Sequence, residues 1–310
     1  MSKKANGIDR RHLMAGPLGL GLASAVMGAA PSTAATRTPG PSVKPDLMRG
    51  YAPGPYGLIH YRDVGEGRPL VMFHQSPMSS QQFTAVYPLF KAKGIRAIGV
   101  DTPGFGGSDV TPFVPRIEDW AQVYKPLLDH LGIDRADVLG HHTGATTATE
   151  VALQYPDRVR KLVIHGALMV TDEERGARLK RVAEGEKGGH KYYEDGSHLS
   201  NRFKGVLKRY GPDADLAVIT RFVTEEFSHT GPAWYGHNAA YVYNHGEALK
   251  KVKAPTLLVN NTGDIVYDLT NRLRSVRPDF EYAELQGGGV DICDQQPQQW
   301  VDAISRFLLA

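Results

Sequence analysis

Short, unbroken apolar runs recur along the chain and predict strands that are buried on both faces of a sheet. Each run is four to six residues long, and helix-like stretches lie between the runs. The predicted strands are Leu58–Tyr61, which looks like a strand edge, then Leu70–Phe73, Ile95–Val100, Ala136–Leu139, Lys161–His165 and Thr256–Val259. The predicted helices are Gln81–Lys91, Ile117–Leu131, Thr143–Gln154 and Gln298–Leu309. Because strand and helix alternate, we predict an α/β fold with a doubly wound, mostly parallel sheet.

The alternation is interrupted from about residue 171 to residue 245, where no run predicts a buried strand. Aromatic residues are dense in this segment, namely Tyr192, Tyr193, Phe203, Tyr210, Phe222, Phe227, Trp234, Tyr235, Tyr241 and Tyr243. We predict a mainly helical insertion that covers one end of the sheet as a lid. Aromatic side chains that face a cleft under this lid suit a substrate with an apolar part.

The first 35 residues have the pattern of an export signal. Arg10 and Arg11 stand before a mildly apolar run, Leu13–Ala30, that is rich in Gly and Ala, and small residues continue to Ala35. The segment resembles a twin-arginine export signal. An uncleaved anchor or a disordered tail is the alternative, and a membrane span is disfavoured because the run is short and weakly hydrophobic. We predict a periplasmic or secreted protein, with the twin-arginine export machinery as a partner and no stable membrane anchor after processing.

Residues 36–50 are rich in proline and predict a linker, so the main domain is expected at 51–310. The formal net charge of +3 falls entirely within residues 1–35, so the remaining chain is neutral overall. This balance gives no support for a nucleic-acid partner or an acidic membrane surface. The single cysteine, Cys293, excludes an internal disulfide and a cysteine metal site.

A candidate reactive turn follows the strand that contains Ala136–Leu139. The sequence Gly140-His141-His142-Thr143-Gly144 leads directly into a predicted helix, and a strand, a Gly-x-X-x-Gly turn and a helix make a nucleophile elbow. The flanking glycines are needed because side chains there would collide with the adjacent strand or helix. The N–H of Thr143 at the helix N-terminus favours a developing negative charge.

Together with its neighbours, this turn resembles the α/β-hydrolase superfamily over roughly residues 50–310. The supporting motifs are Phe73-His74-Gln75-Ser76-Pro77 after a strand, Asp101-Thr102-Pro103-Gly104-Phe105-Gly106-Gly107-Ser108-Asp109, Asn261-Thr262-Gly263-Asp264, and the segment from Leu285 to Pro297. The resemblance implies an oxyanion-binding region that includes Gln75, Ser76 and Thr143. It also implies that Asp264 is the acidic member of a catalytic triad.

Two positions depart from the superfamily pattern. His142 occupies the elbow position where Ser, Cys or Asp is expected, and Val290 occupies the position of the triad histidine. A Ser-His-Asp mechanism therefore does not carry over. We hypothesise that the His142 ring swings into the volume left by Val290 and hydrogen-bonds Asp264. The carboxylate would then fix the tautomer of His142 and favour its protonated form, while the helix N-terminus opposes protonation.

Several other side chains have two interpretations. Asp291 either reaches the pocket or holds its own loop. The Gln75 side-chain amide is a candidate ligand for a substrate carbonyl, although the backbone N–H of Gln75 alone would serve the usual role of binding the oxyanion.

Other side chains have simpler interpretations. His74 and His141 are expected to give structural support. Ser76 and Ser79 are candidates for a displaced nucleophile, but capping of the following helix is favoured. His74, His142, Asp264 and Asp291 show no metal-ligand spacing, so we predict neither a metal nor another cofactor.

The function predicted from these residues is hydrolysis of a small ester or lactone with an apolar part. His142, with Asp264, acts either as the nucleophile or as a general base. One alternative is a cofactor-free lyase or isomerase that uses the same base. Another is a non-catalytic small-molecule-binding protein, but retention of the elbow glycines, Asp264 and Gly287-Gly288-Gly289 favours an enzyme.

Overall fold

A computed structural model of the chain describes residues 47–211 and 214–310. In this part of the chain eight strands form one sheet: β1 Leu47–Gly54, β2 Gly57–Val64, β3 Arg68–Phe73, β4 Ile95–Val100, β5 Ala136–His141, β6 Val159–His165, β7 Thr256–Asn261 and β8 Glu281–Leu285. The spatial order is β1-β2-β4-β3-β5-β6-β7-β8. The β1–β2 and β2–β4 pairs are antiparallel and the other pairs are parallel. The predicted mostly parallel α/β sheet is confirmed.

Helices connect these strands and cover both faces of the sheet. In the described residues they are α1 Tyr87–Ala92, α2 Ile117–Ala121, α3 Tyr124–His130, α4 Thr143–Gln154, α5 Asp172–Arg181, α6 Ser197–Tyr210, α7 Leu216–Glu226, α8 Trp234–Val242, α9 His245–Leu249, α10 Tyr267–Val276, α11 Ile292–Gln295 and α12 Pro297–Leu309. Where the sequence predicts a mainly helical insertion, between β6 and β7, the chain forms α5 to α9. None of these helices is long and apolar enough to cross a membrane.

Alternate residues of each central strand belong to different hydrophobic layers. In β3, Val71 and Phe73 pack into the layer that contains α3 and α4, whereas Leu70 and Met72 pack into the layer that contains α1 and α12. Successive side chains of a strand point to opposite faces, so an unbroken apolar run places hydrophobic side chains on both. This is the doubly wound arrangement that the apolar runs predict.

The structure differs from the sequence prediction mainly at the sheet edges. The pattern does not predict β1 or β8, and β1 begins inside the predicted linker 36–50, so residues 47–50 pair with β2 instead. Prolines account for two further differences, because a proline inside a helix removes a hydrogen bond. Pro88 marks the start of α1 after a separate turn at Ser80–Phe83, and the stretch containing Pro126 forms α2 and α3 rather than one helix. The predicted export signal 1–35 and the first part of the linker lie outside the described residues.

Candidate active site

His142 lies in the sharp turn between β5 and α4. Its backbone φ is 50°, and among the described residues no other residue except glycines has a positive φ. This conformation costs about 1–3 kcal/mol. The turn is held by a 2.8 Å bond from the His142 N–H to the carbonyl of His165, and another of 2.8 Å from the Ala145 N–H to the His142 carbonyl. The surrounding structure therefore fixes this side chain at the carboxyl end of the central strand.

Glycines make room for the turn and for the imidazole ring. A Cβ on Gly140 would lie 2.1 Å from the carbonyl oxygen of Gly144, and a Cβ on Gly144 would lie 2.0 Å from that of Phe73. A Cβ on Gly166, which follows β6, would lie 2.6 Å from Cδ2 of His142. Gly140 and Gly144 tolerate no side chain while the backbone stays in place, and a side chain at Gly166 would displace the His142 ring.

The imidazole of His142 is joined to the carboxylate of Asp264. Nε2 of His142 lies 2.8 Å from Oδ2 of Asp264, and the Asp264 side chain is fully buried while 13% of the His142 side chain is exposed. A carboxylate only accepts hydrogen bonds, so Nε2 carries the proton and Nδ1 of the neutral ring keeps a lone pair. No partner for Nδ1 is present among residues 47–211 and 214–310, which leaves this nitrogen available for chemistry.

The two charges stabilise each other inside the protein. Burial disfavours the charged imidazolium, but attraction to Asp264 and Asp291 outweighs it and raises the pKa of His142 above its usual value. Burial likewise disfavours the Asp264 carboxylate, but His142, His165 and the Val266 N–H lower its pKa to about 2. Asp264 is therefore ionised at neutral pH and favours a proton on His142.

A second histidine, His165, supports the loop that carries Asp264. Trp300 donates its Nε1–H to Nδ1 of His165 at 2.7 Å, and His165 Nε2 donates to Oδ1 of Asn261 at 2.8 Å. The Asn261 amide donates in turn to the carbonyls of Gly287, Gly288 and Gly289. Burial lowers the pKa of His165 to about 4, so the ring is neutral. The sequence analysis did not predict this chain of hydrogen bonds. The feature that could have indicated it is the position of His165 at the end of a predicted strand.

His74 and His141 are held within the protein. His74 donates from Nδ1 to the Gln75 carbonyl at 2.9 Å, and its Nε2 accepts the Thr102 N–H at 3.1 Å. Nδ1 of His141 accepts the side-chain amide of Gln82 at 2.5 Å. Burial lowers the pKa of both rings. These contacts fit a supporting role for both side chains.

Two backbone amides of residues that line the cavity have no hydrogen-bond partner in the described residues. The N–H of Gln75 donates to Oε1 of Gln82 at 2.8 Å, so the expectation that this N–H could serve the usual role is wrong. The N–H groups of Ser76 and Thr143 make no hydrogen bond within the described residues, and both residues line the cavity that contains His142. Unpaired amides, one of them at the N-terminus of α4, suit a negatively charged oxygen.

Asp291 bridges the loop after β3 and the helical insertion. Its Oδ1 accepts the Gln75 side-chain amide at 2.6 Å, and its Oδ2 accepts Arg209 of α6 at 3.0 Å. Asp291 is 3% exposed, and its carboxylate contacts two residues that line the cavity. The structure therefore brings Asp291 to the edge of the candidate site.

The two candidate serines have different surroundings. The N–H and hydroxyl of Ser79 donate to Oε2 of Glu225 at 3.0 and 2.8 Å, and its hydroxyl accepts the Gln81 N–H at 3.2 Å, which caps the following turn. Ser76 lies in the cavity wall against α8, where a Cβ on Gly236 would lie 2.0 Å from its hydroxyl oxygen. Ser79 thus has the capping role that the sequence favours.

The cavity over His142 has a volume of about 250 Å³ and is bounded by both the sheet edge and the helical insertion. A cavity of about 640 Å³ adjoins it and shares Pro77, Arg202 and His237 with it. No group of three or more His, Cys, Asp or Glu side chains in the described part of the chain is arranged to hold a metal ion. The walls of the smaller cavity are formed by Gln75, Ser76, Pro77, His142, Thr143, Leu168, Arg178, Arg181, Arg202, Arg209, Phe222, His237, Ala240, Tyr241, Ile265, Val266 and Val290.

Comparison with known proteins identifies the family. Residues 68–288 match the family model described as alpha/beta hydrolase fold. The chain belongs to the α/β-hydrolase family. Over 113 residues it is 40% identical to the 2-hydroxy-6-oxononadienedioate/2-hydroxy-6-oxononatrienedioate hydrolase of Paraburkholderia phymatum, a match that covers 35% of this chain and 39% of that protein. Over 114 residues it is 37% identical to the 2-hydroxy-6-oxo-6-phenylhexa-2,4-dienoate hydrolase of Comamonas testosteroni, covering 35% and 40%.

The matched region thus spans about two fifths of the length of these curated relatives. Among solved structures, the fold is similar to that of the enol-lactonase from Burkholderia xenovorans LB400, with a TM-score of 0.68 and 20% identity. That similarity covers 84% of this chain and all of the enol-lactonase chain. This similarity supports the assignment of an α/β-hydrolase fold to the chain.

Proposed function

We propose that this protein hydrolyses a small ester or lactone with an apolar part, using His142 and Asp264 in place of a Ser-His-Asp triad. The observation that carries the proposal is the 2.8 Å bond between Nε2 of His142 and Oδ2 of Asp264. This bond leaves the Nδ1 lone pair of the imidazole free at the elbow, the position at which the family carries its reactive side chain.

The residues around His142 supply the parts that ester hydrolysis needs. As a base, Nδ1 takes a proton from the water that attacks the carbonyl, and it gives this proton to the alkoxide oxygen as the C–O bond of the ester breaks. As a nucleophile, Nδ1 attacks the carbonyl, the alkoxide leaves and takes a proton from solvent, and water then cleaves the acyl-imidazole to return the free ring and release the acid. The N–H groups of Ser76 and Thr143 stabilise the oxyanion of the tetrahedral intermediate. Asp264 stabilises the imidazolium that forms when Nδ1 gains a proton or an acyl group, as the acid of a triad does.

Two features favour hydrolysis over the other candidate functions. Unpaired backbone amides suit a carbonyl oxygen that becomes negatively charged, and the similar proteins named above are hydrolases, one of them an enol-lactonase. A pocket that only binds ligands has no need for a residue in a strained backbone conformation beside a buried carboxylate. The lid role of the helical insertion belongs to the same proposal, because its helices bound the cavity.

We also propose that residues 1–35 direct export by the twin-arginine route, so that the hydrolase works in the periplasm or outside the cell. The support is the sequence pattern alone: the Arg10-Arg11 pair, the weakly apolar run and the small residues before Ala35.

The direct test is a turnover screen with small aryl and alkyl esters and with lactones of different ring size. We expect turnover by the wild-type protein and its loss in His142→Ala. His130→Ala is the matched control, since His130 ends α3 and is exposed on the surface. A fluorophosphonate probe for reactive serines should leave the wild type unlabelled. Equal turnover by His142→Ala and wild type, or a labelled serine in the wild type, would refute the proposal.

A further inference from the structure

Arginine side chains are concentrated around the cavity that contains His142. Four of them line it: Arg178 and Arg181 from α5, and Arg202 and Arg209 from α6. A guanidinium is charged at every physiological pH, and a concave site lined by several of them attracts anions. Whether they create a binding site depends on which of these charges are already neutralised by carboxylates of the protein.

The two arginines of α6 are neutralised. Arg202 donates to Oε2 of Glu226 at 2.6 Å, and Arg209 donates to Oδ2 of Asp291 at 3.0 Å. The third acid at the cavity, Asp264, is paired with His142 at 2.8 Å. Both arginines of α6 that line the cavity are therefore already paired with carboxylates of the protein.

The two arginines of α5 are different, since neither forms an ion pair with a carboxylate in the described residues. Arg178 and Arg181 are three positions apart and therefore lie on the same face of the helix. Their guanidinium carbons lie 5.6 and 6.0 Å from the ring centre of Tyr241, and Arg181 donates to the Tyr241 hydroxyl at 3.2 Å. Glu174 attracts Arg178 and Glu186 attracts Arg181, but without forming an ion pair. The close contact of both guanidinium groups is the uncharged ring of Tyr241.

Tyr241 holds these guanidinium groups beside the cavity. Its ring is 8% exposed and lies parallel to the His237 ring, at 11° with the ring centres 5.7 Å apart. Contact with an aromatic face orients a guanidinium and leaves its N–H groups free to point outward. Two cations are therefore positioned in advance in the wall of the cavity that also contains His142.

We propose that Arg178 and Arg181 bind a carboxylate group of the substrate, so that the hydrolase acts on esters or lactones that carry a free acid. This inference rests on the proposed function and specifies its substrate class. The planar guanidinium matches a carboxylate through paired hydrogen bonds. Apolar wall residues, including Leu168, Phe222 and Val266, contact the chain that separates the acid from the scissile carbonyl.

Binding measured without turnover separates this inference from the proposed function. The probes are phenylacetate, 3-phenylpropanoate and 4-phenylbutanoate, which vary the distance from the ring to the acid, each compared with its neutral amide by isothermal titration calorimetry. We expect at least one carboxylate to bind about tenfold or more tightly than its amide, as charge-assisted hydrogen bonds require. The Arg178→Gln/Arg181→Gln variant should lose this preference, and His142→Ala should keep it.

Lys180→Gln is the matched control, because it removes one positive charge from the same helix at a side chain that is 71% exposed. Circular dichroism of each variant verifies that α5 remains folded. A carboxylate preference that survives in Arg178→Gln/Arg181→Gln, or equal binding of acids and amides, overturns the inference. Binding of phenylphosphonate without binding of any carboxylate overturns it as well, in favour of a phosphoryl ligand.

A kinetic experiment then tests the carboxylate site and the proposed hydrolase activity together. 4-Nitrophenyl hydrogen glutarate, an anionic ester, is compared with 4-nitrophenyl pentanoate, its neutral counterpart. We expect a kcat/KM about tenfold or more in favour of the anionic ester, and a fall of this ratio to about one in Arg178→Gln/Arg181→Gln. Carboxylate binding through α5 without turnover of any ester would leave the anion site standing and refute the hydrolase proposal instead.

Discussion

His142 and Asp264 are 122 positions apart in the sequence, and a 2.8 Å hydrogen bond joins their side chains at one edge of the sheet. The bond forms because β5 and β7 run parallel, so that the turn after β5 and the loop after β7 emerge at the same edge. In the family pattern a separate histidine bridges the elbow and the acid. Here the elbow residue itself reaches the acid.

A conventional triad should be recoverable from this framework. We expect His142→Ser combined with Val290→His to react with a fluorophosphonate probe, because a serine at the elbow and a histidine in the last loop restore the order that the family uses. The single variant His142→Ser serves as the control and should not react, since no imidazole then activates the serine. Intact-protein mass spectrometry detects the adduct. Labelling of His142→Ser alone would show that another base already serves this position.

Gly166 should be indispensable for the imidazole position. Gly166→Ala places a Cβ 2.6 Å from Cδ2 of His142 and requires a φ of 77°, so we expect a loss of about 1–3 kcal/mol in the free energy of unfolding and of most turnover. Gly176→Ala is the control, since Gly176 lies in α5 with no heavy atom within 4 Å of the added Cβ, and it should gain about 0.5–1 kcal/mol. Urea unfolding measures both. A Gly166→Ala protein as stable and active as wild type would contradict the packing described here.

The hydrogen bond from Trp300 to His165 should contribute to stability. Trp300→Phe keeps a ring but leaves Nδ1 of a buried histidine without its donor, at a cost of about 1–3 kcal/mol in the free energy of unfolding. Trp120→Phe is the matched control, since Trp120 is 1% exposed and its Nε1 has no partner among the described residues. Thermal unfolding should therefore show the larger decrease for Trp300→Phe. Equal decreases would mean that the bond adds nothing beyond ring packing.

The central part of the fold was predictable because its strands are unbroken apolar runs. β3 to β7 and α4 follow from that pattern and from the glycines around His142. The edge strands were not predictable, since β1 contains Arg49, Gly50 and Pro53, and β8 is half exposed. Edge strands need no apolar residues on both faces, so their sequences resemble those of loops.

The candidate site was predictable only where motifs locate it. Turns after parallel strands meet at one edge, which is why His142 and Asp264 could be expected to meet. The bond between the Gln75 N–H and Gln82 could not be expected, because it depends on how a turn folds seven residues later. The arginines of α5 lie in a helical insertion with no motif, and only the structure shows that they line the same cavity as His142.

Export should depend on the arginine pair that precedes the first apolar run. Arg10→Lys/Arg11→Lys keeps the charge, so only recognition of the arginine pair should change. We expect the variant to stay in the cytoplasm of a bacterial host and the wild type to reach the periplasm or medium, as detected by cell fractionation and immunoblotting. Replacement of Lys3 and Lys4 by Arg is the control. Equal export of all three proteins would contradict the twin-arginine assignment.

The pH dependence of turnover tests the central claim, that His142 acts through Nδ1 under the control of Asp264. This claim makes the neutral ring the active form. Asp264 raises the pKa of His142 against the effect of burial, so kcat/KM for a neutral ester should rise with pH through an inflection above about 6.5. Asp264→Asn removes the larger attraction and leaves burial opposed only by Asp291, which moves the inflection to lower pH and reduces the plateau rate.

Glu225 also titrates in this range, since burial raises its pKa to about 7. The inflection that belongs to His142 must therefore persist in Glu225→Gln. The most direct measurement is the pH profile of kcat/KM for wild type, Asp264→Asn and Glu225→Gln with one neutral ester. A profile that shifts to lower pH in Asp264→Asn and keeps its position in Glu225→Gln is the predicted result; a profile that Asp264→Asn leaves unshifted would contradict the account.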